Sequence, residues 1–152
     1  MEALSIVIRR ATPADADAAA RVFTESRRSA GAALPPSVHS AEEDAWFVRE
    51  ILIGERETWV AVVHGELAGI LTLDKTDLDQ LYVSGSFTRK GIGSRLVELA
   101  KRERPKGLEL WCFESNLPAR GFYEKHGFVA IERTDGAANE NRAPDIRFRW
   151  SP

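Results

Sequence analysis

TRKGIGSRLV, residues 88–97, sets two basic residues and two closely spaced glycines directly ahead of an apolar run with helical spacing. A helix beginning at Gly91 leaves its first backbone N–H groups without intrahelical partners. Those donors and the positive end of the helix dipole favour an anion, phosphate above all, and glycines at 91 and 93 let a bulky ligand approach the backbone. A phosphorylated ligand at the mouth of a helix is therefore expected. In the helix itself Ile92, Leu96, Leu99 and Ala100 share one face, while Arg95, Glu98, Lys101 and Arg102 lie elsewhere. Pro105 and Gly107 end it.

Upstream, TWVAVV (58–63), ELAGILTL (66–73) and LDQLYV (78–83) are β-rich runs separated by His64–Gly65 and by DKTD (74–77), which predicts an antiparallel meander. Downstream, LELWCF (108–113) is a largely apolar strand, and its crossover from LDQLYV has βαβ length, so those two strands should be parallel neighbours. SIVIRR (5–10) reads as a strand, followed by a Thr12–Pro13 helix start and an alanine-rich helix to about Ser29. Pro35 and Pro36 prevent GAALPPSVHS (31–40) from continuing that helix, and Ser40 with Glu43 forms a capping box for a second helix, AEEDAWFVREILI (41–53). Asn116 can cap another, with Ala119, Phe122 and Tyr123 on one face and Gly127 after its end. FVAIER (128–133) and the alternating DIRFRW (145–150) return to the sheet across the polar loop TDGAANENRAP (134–144). The order predicts one α/β domain over residues 1–152: a mixed, mostly antiparallel central sheet flanked by helices, with a parallel pair at the fourth and fifth strands.

Hydrophobic residues make up 43% of the 152, enough for one core, and the net charge of -2 argues against a general nucleic-acid binder. A lone Cys112 forms no internal disulfide, no His/Cys spacing suggests a metal site, and no segment has the pattern of a leader or a membrane span. A cytoplasmic protein is expected, without metal, nucleic acid or membrane partner; a homodimer is compatible with the sequence.

Two nucleotide motifs fail. GxGxxG would need glycine where Leu96 stands, and no GxxxxGK[ST] occurs. Together, however, LYVSGSFTRKGIGSRL (81–96) and LWCFESNLPARGFYEKHGF (110–128) resemble the Gcn5-related N-acetyltransferase (GNAT) family, as does the element order across nearly the whole chain. The family's pyrophosphate loop is commonly Q/R-x-x-G-x-G/A. Thr88 stands at the Q/R position, a departure that Arg89 and Lys90 can offset in charge, and the threonine hydroxyl can still donate to phosphate. The resemblance implies acetyl-CoA as co-substrate, with its pyrophosphate on Thr88, Arg89, Lys90, Gly91, Ile92, Gly93 and Ser94. It also implies a pantetheine arm beside the backbone of Leu81, Tyr82 and Val83, with the Leu81 amide polarising the thioester carbonyl.

By the same resemblance Tyr123 protonates or hydrogen-bonds the CoA sulfur and Asn116 contacts the cofactor. Each also has a plain structural reading, Tyr123 as part of an apolar helix face and Asn116 as a cap. Cys112 reads as a small buried hydrophobe. Asp77 and Asp79 share a strand face with Leu81 by alternation. Asp79 is the chosen general base, with Asp77 and Glu114 as fallbacks; burial must raise its pKa for that role. Segments 31–44 and 134–144 are expected to border the acceptor. His39 there could bind substrate, relay a proton or simply be solvated; Glu42, Glu43 and Asp44 read as a solvated helix start or, together with Asp77 and Asp79, as acids that attract a cationic amine; and Trp46 and Phe47 read as core ahead of an acceptor-pocket wall. The expected activity is direct acetyl transfer to a primary amine, a small molecule ahead of a peptide. A CoA-binding sensor without turnover is the alternative, and a nicotinamide-dependent enzyme a more distant one.

Overall fold

Alternation along the strands sends apolar side chains to both faces of one sheet, and a pair of helical elements covers each face. The computed structural model describes residues 5–152; the expectation of no leader segment rests partly on residues 1–4, which lie outside the described residues. The strands are β1 (Ile6–Arg10), β2 (Glu57–Val63), β3 (Glu66–Asp74), β4 (Asp77–Val83), β5 (Leu108–Phe113), β6 (Val129–Thr134) and β7 (Asp145–Trp150), in spatial order β1-β2-β3-β4-β5-β7-β6. All neighbours are antiparallel except β4 and β5, the predicted parallel pair.

Helix α1 (Ala16–Ala30) and the turns that follow α2 (Ala41–Trp46) pack Ala19, Phe23, Val48 and Leu52 on Val60 and Ile70. On the opposite face α3 (Ile92–Glu103) and α4 (Leu117–Lys125) pack Ile92, Leu96, Val97, Ala100 and Tyr123 against Leu71, Leu73, Leu78, Leu110, Ile146 and Phe148. Each fully buried large aliphatic or aromatic side chain contributes on the order of 1.5–3 kcal/mol. β7 shows the predicted one-sided burial, with Ile146 and Phe148 enclosed and Arg149 exposed.

Several local expectations change. The helix predicted over 41–53 keeps α geometry only to Trp46; Phe47–Ile53 winds wider, with Gly54 N donating to Arg49 O at 3.1 Å and Arg56 N to Ile51 O at 3.0 Å, five residues back. Trp46, expected in the core, is 53% exposed. At the first helix the Thr12 side chain does not cap: Pro13–Asp15 make a single tight turn, and the Asp15 carboxylate accepts from Thr12 N at 2.8 Å while holding Arg9. In β4 the register jumps from Leu78 opposite Leu73 to Gln80 opposite Thr72, so Asp79 is an extra, unpaired residue. Asp77 and Asp79 keep the expected common face, held there by Arg147 and Arg56, while the bulge at Asp79 sends Leu81 to the opposite, α3–α4 face.

Candidate active site

The parallel strands β4 and β5 meet at a single point, Asp77 opposite Glu109, and then diverge. Their separation opens a cleft of about 1500 Å³ reached from both helical layers. Ser84 N donates to Ala68 O across the β3–β4 pair at 2.8 Å. By antiparallel alternation Tyr82 then turns its backbone toward β3, while Leu81 and Val83 present theirs to the gap. The Ser26 hydroxyl donates to Val83 O at 2.9 Å, leaving the Leu81 amide and carbonyl as free strand-edge groups. The Tyr82 side chain instead stacks edge-on to Phe23, with centroids 4.9 Å apart, on the α1 side of the cleft.

Where β4 gives way to α3, Gly91 takes the left-handed conformation, φ 82°, with no atom within 4 Å of where a Cβ would sit. The first helical hydrogen bond runs from Arg95 N to Gly91 O. The amides of Ile92, Gly93 and Ser94 are thus left at the cleft wall without an acceptor among the described residues. Gly93 lines the cleft and also admits the Phe122 ring, since a Cβ there would lie 3.3 Å from Phe122 Cζ. Thr88 and Arg89 line the cleft; Lys90 is exposed beside it and is not part of its wall. The Thr88 hydroxyl donates to Gly85 O at 3.1 Å, so its proton is occupied within the turn rather than free for phosphate. Ser94 Oγ shares a hydrogen bond of 3.0 Å with His126 Nε2.

Deeper in the same cleft, Tyr123 is enclosed by edge contacts with Phe122 and Phe128, at 5.3 and 5.5 Å between centroids. Its hydroxyl makes no hydrogen bond among the described residues, and burial holds the phenol well above its ordinary pKa. Cys112 lies nearby, and burial pushes its thiol up to about 11, the behaviour of an inert buried cysteine. The Asn116 side chain accepts from Ala119 N at 3.3 Å as a helix cap and also lines the cleft.

The carboxylates separate sharply. Asp77 is held by Arg147 at 2.7 Å and lies outside the cleft wall. Asp79, on the α2 side of β4, receives Arg56 Nη1 at 2.6 Å; burial raises its pKa, with Arg56 opposing. Glu114 is not part of the cleft wall. Asp44, expected in solvent, is only 7% exposed and lines the cleft, with its pKa raised by burial against the pull of Arg27. Asp44 had only its second reading, as one of several acids that could attract a cationic amine, and the Arg56 partner of Asp79 was not foreseen. The available signal for Asp44 was its helical spacing, three and four residues before Phe47 and Val48.

Segments 31–44 and 134–144 do meet over the cleft. His39 Nε2 lies 3.0 Å from Glu140 Oε2, and Asn141 donates to Pro36 O at 3.2 Å. Ser115 adds a 2.8 Å bond to Ala33 O. Glu140 and Glu43 together raise the pKa of His39. No helix is long and apolar enough to cross a membrane, as judged over the described residues.

These features have counterparts in known proteins. The peptidyl-lysine N-acetyltransferase YjaB of Salmonella typhimurium is 37% identical over 82 residues, 53% of this chain and 56% of that protein. The solution structure of apo-form YjaB from Escherichia coli superposes with a TM-score of 0.79 at 26% identity, covering 96% of this chain and 97% of that one. PaiA N-acetyltransferase from Thermoplasma acidophilum, solved in complex with coenzyme A, has the same fold, with a TM-score of 0.71 at 23% identity over 97% of this chain and 99% of that one. The chain spans about half the length of the first curated relatives it matches, 51% and 58%. A family model described as an acetyltransferase (GNAT) domain matches residues 54–130, the run from just before β2 into β6 that builds both walls of the gap. By that match, which takes in just over half of its length, the chain belongs to the GNAT acetyltransferase family.

Proposed function

We propose that the chain is an N-acetyltransferase that moves an acetyl group from acetyl-CoA directly to a primary amine. The observation that carries this is the divergence of β4 and β5 above one bridge, beside the three acceptor-less amides at the start of α3. The cradle fits a diphosphate: Gly91 leaves open space above those amides and Arg89 adds positive charge at the wall. The complex of PaiA with coenzyme A supports the choice of ligand. Asn116 contacts the cofactor from α4, while Lys90 contributes charge from outside the wall.

Bound acetyl-CoA supplies an activated acyl carbon and a thiolate leaving group. The free Leu81 amide donates to the carbonyl oxygen as negative charge grows there. Asp79, raised by burial, takes the proton that the amine must lose. Tyr123 donates its hydroxyl hydrogen to the sulfur. Because its phenol lies above the ordinary value near 10, far more basic than a thiolate of pKa about 8.5, it stabilises the leaving group by hydrogen bonding without surrendering the proton. The contacts of His39 and Asn141 narrow the acceptor side, which favours a small amine. The name of YjaB makes a peptidyl lysine the second acceptor to test.

Calorimetric titration with CoA and thiol release with a panel of amines test the proposal. Saturable CoA binding together with amine-dependent thiol release is expected. Binding without release for any amine would leave a CoA-binding module, a reading that the occupied Thr88 hydroxyl and the Arg56-paired Asp79 favour; no CoA binding would overturn both.

A further inference from the structure

The cleft is segregated by charge. Around α3 and α4 its wall carries Arg89 and Lys125, whereas the α1–α2 half carries Glu42, Glu43, Asp44, Asp79 and Glu140 against Arg27 and His39. Most of these acids already have partners or solvent. Asp79 has Arg56, Glu43 and Glu140 share His39, and Glu42 is exposed. Asp44 differs: it is 7% exposed, and its carboxylate accepts no hydrogen bond and joins no ion pair among the described residues. Arg27 and His39 act on it only through space; Arg27 lies over the ring of Phe23 at 5.4 Å, and neither donates a hydrogen bond to it. No fully enclosed side-chain nitrogen or oxygen lacks a partner among the described residues, so the partnerless Asp44 oxygens open onto the cleft they line.

A carboxylate removed from bulk water without a cation in direct contact is costly, and the deficit is relieved by a cation arriving with the ligand. The attacking amine cannot fill that role, because it must be uncharged when it attacks. A permanent ammonium elsewhere on the same molecule can, and the exposed ring of Trp46 in the same half of the cleft adds a surface that attracts cations. We propose that Asp44 receives a second, non-reacting ammonium of the acceptor, so that the acceptor is a small aliphatic diamine. The proposal rests on the acetyltransferase reading in placing the acceptor in the α1–α2 half of the cleft.

The test titrates the wild-type chain and Asp44→Asn by calorimetry, with CoA present, using 1,4-diaminobutane, 1-aminobutane and a lysine-bearing peptide. The wild-type chain should prefer the diamine over the monoamine by about tenfold or more, the worth of one charge-assisted hydrogen bond, and Asp44→Asn should shrink that preference to within about twofold. Its apo form should melt no lower than the wild type, since the substitution removes an uncompensated charge. A wild-type chain indifferent to the second ammonium, a variant that keeps the preference, or a marked loss of melting temperature in Asp44→Asn would each overturn the proposal. So would an Asp44-dependent affinity confined to the peptide. If CoA fails to bind while the diamine preference still depends on Asp44, the acetyltransferase reading falls, and with it the acceptor role of the diamine, leaving only an ammonium site at Asp44.

Discussion

Replacing Tyr123 with phenylalanine removes a single oxygen whose surroundings define what the change should cost. The hydroxyl has no hydrogen-bond partner among the described residues, and the ring is fixed by Phe122 and Phe128, which the phenylalanine ring would still meet. Stability should therefore stay within about 1 kcal/mol of wild type, which for a chain of this size is a melting shift of roughly 2–4 °C. Catalysis should fall further. A hydrogen bond to a charged acceptor is worth about 1.5–3 kcal/mol, and at about 1.4 kcal/mol per factor of ten this predicts a loss of roughly 10- to 150-fold in kcat. The phenol stays protonated well above its ordinary range, so no limb of the pH–rate profile between pH 5 and 10 should disappear in the variant. Thiol release under single-turnover conditions isolates the chemical step. A variant that turns over within twofold of wild type there would remove Tyr123 from the chemistry and return it to the core.

Gly91→Ala places a Cβ on a residue with φ 82°, and although space is open the strain should lower stability by about 1–2 kcal/mol in thermal denaturation; a variant as stable as wild type would contradict the left-handed turn. Asp79 acts as a base only when deprotonated, so kcat/KM should rise with pH through a pKa above the usual carboxylate range, and Arg56→Gln should move that limb higher because Arg56 opposes the shift; an unmoved limb would assign the base elsewhere. Asp15 is held down to about 2 by its bond from Arg9. Its contribution, about 1 kcal/mol once solvent screening is allowed for, is complete above the unfolded value near 4 and disappears as pH falls through 2. Urea midpoints of Asp15→Asn and wild type should therefore converge between pH 4 and 2, and parallel curves would refute the pairing.

What could be read from residues alone was what depends on short stretches of chain. The glycine at 91 announces a left-handed turn ahead of α3, and crossover length makes β4 and β5 parallel. Features that depend on pairing across the sheet left no local mark. The bulge at Asp79 exists only relative to β3, where Thr72 is held by Thr58 at 2.8 Å and sets the register that Gln80 must meet. A sequence alternating normally on both sides of it gives no hint that Leu81 leaves the face of the two aspartates. Gly93 and Thr88 carry contacts that the motif does not show: the ring of Phe122, 29 residues away, packs against the first, and a carbonyl within the turn takes the hydroxyl proton of the second. Nothing local set Asp44 apart from Glu42 and Glu43, since a run of acids at a helix start ordinarily faces water.

The gap between β4 and β5 has a definite apex, and the charges around it explain why the strands meet there and nowhere above. Arg147 of β7 reaches Asp77 at the start of β4 at 2.7 Å and Glu109 of β5 at 2.9 Å, while Arg149 takes the other oxygen of Glu109 at 2.8 Å. Its guanidinium also lies over the Trp111 ring at 5.2 Å, one residue pair farther along β5. Two carboxylates on facing strands would repel; bridged by one fork-shaped cation, they pin β4 to β5 at a single level. Beyond that level β5 stays paired with β7 along its other edge, from Leu108 to Phe113, while its β4-facing edge has no partner strand. The side of β4 that faces the gap is left without a strand, which is the condition for an extended ligand to add its own hydrogen bonds there. Asp77, occupied by Arg147, is thereby withdrawn from the chemistry and spent on architecture. Asp79, two residues later on the same face, lines the cleft, where Arg56 steadies it. One short strand thus carries two similar aspartates, one tied to the neighbouring strands at the apex and one facing the cleft.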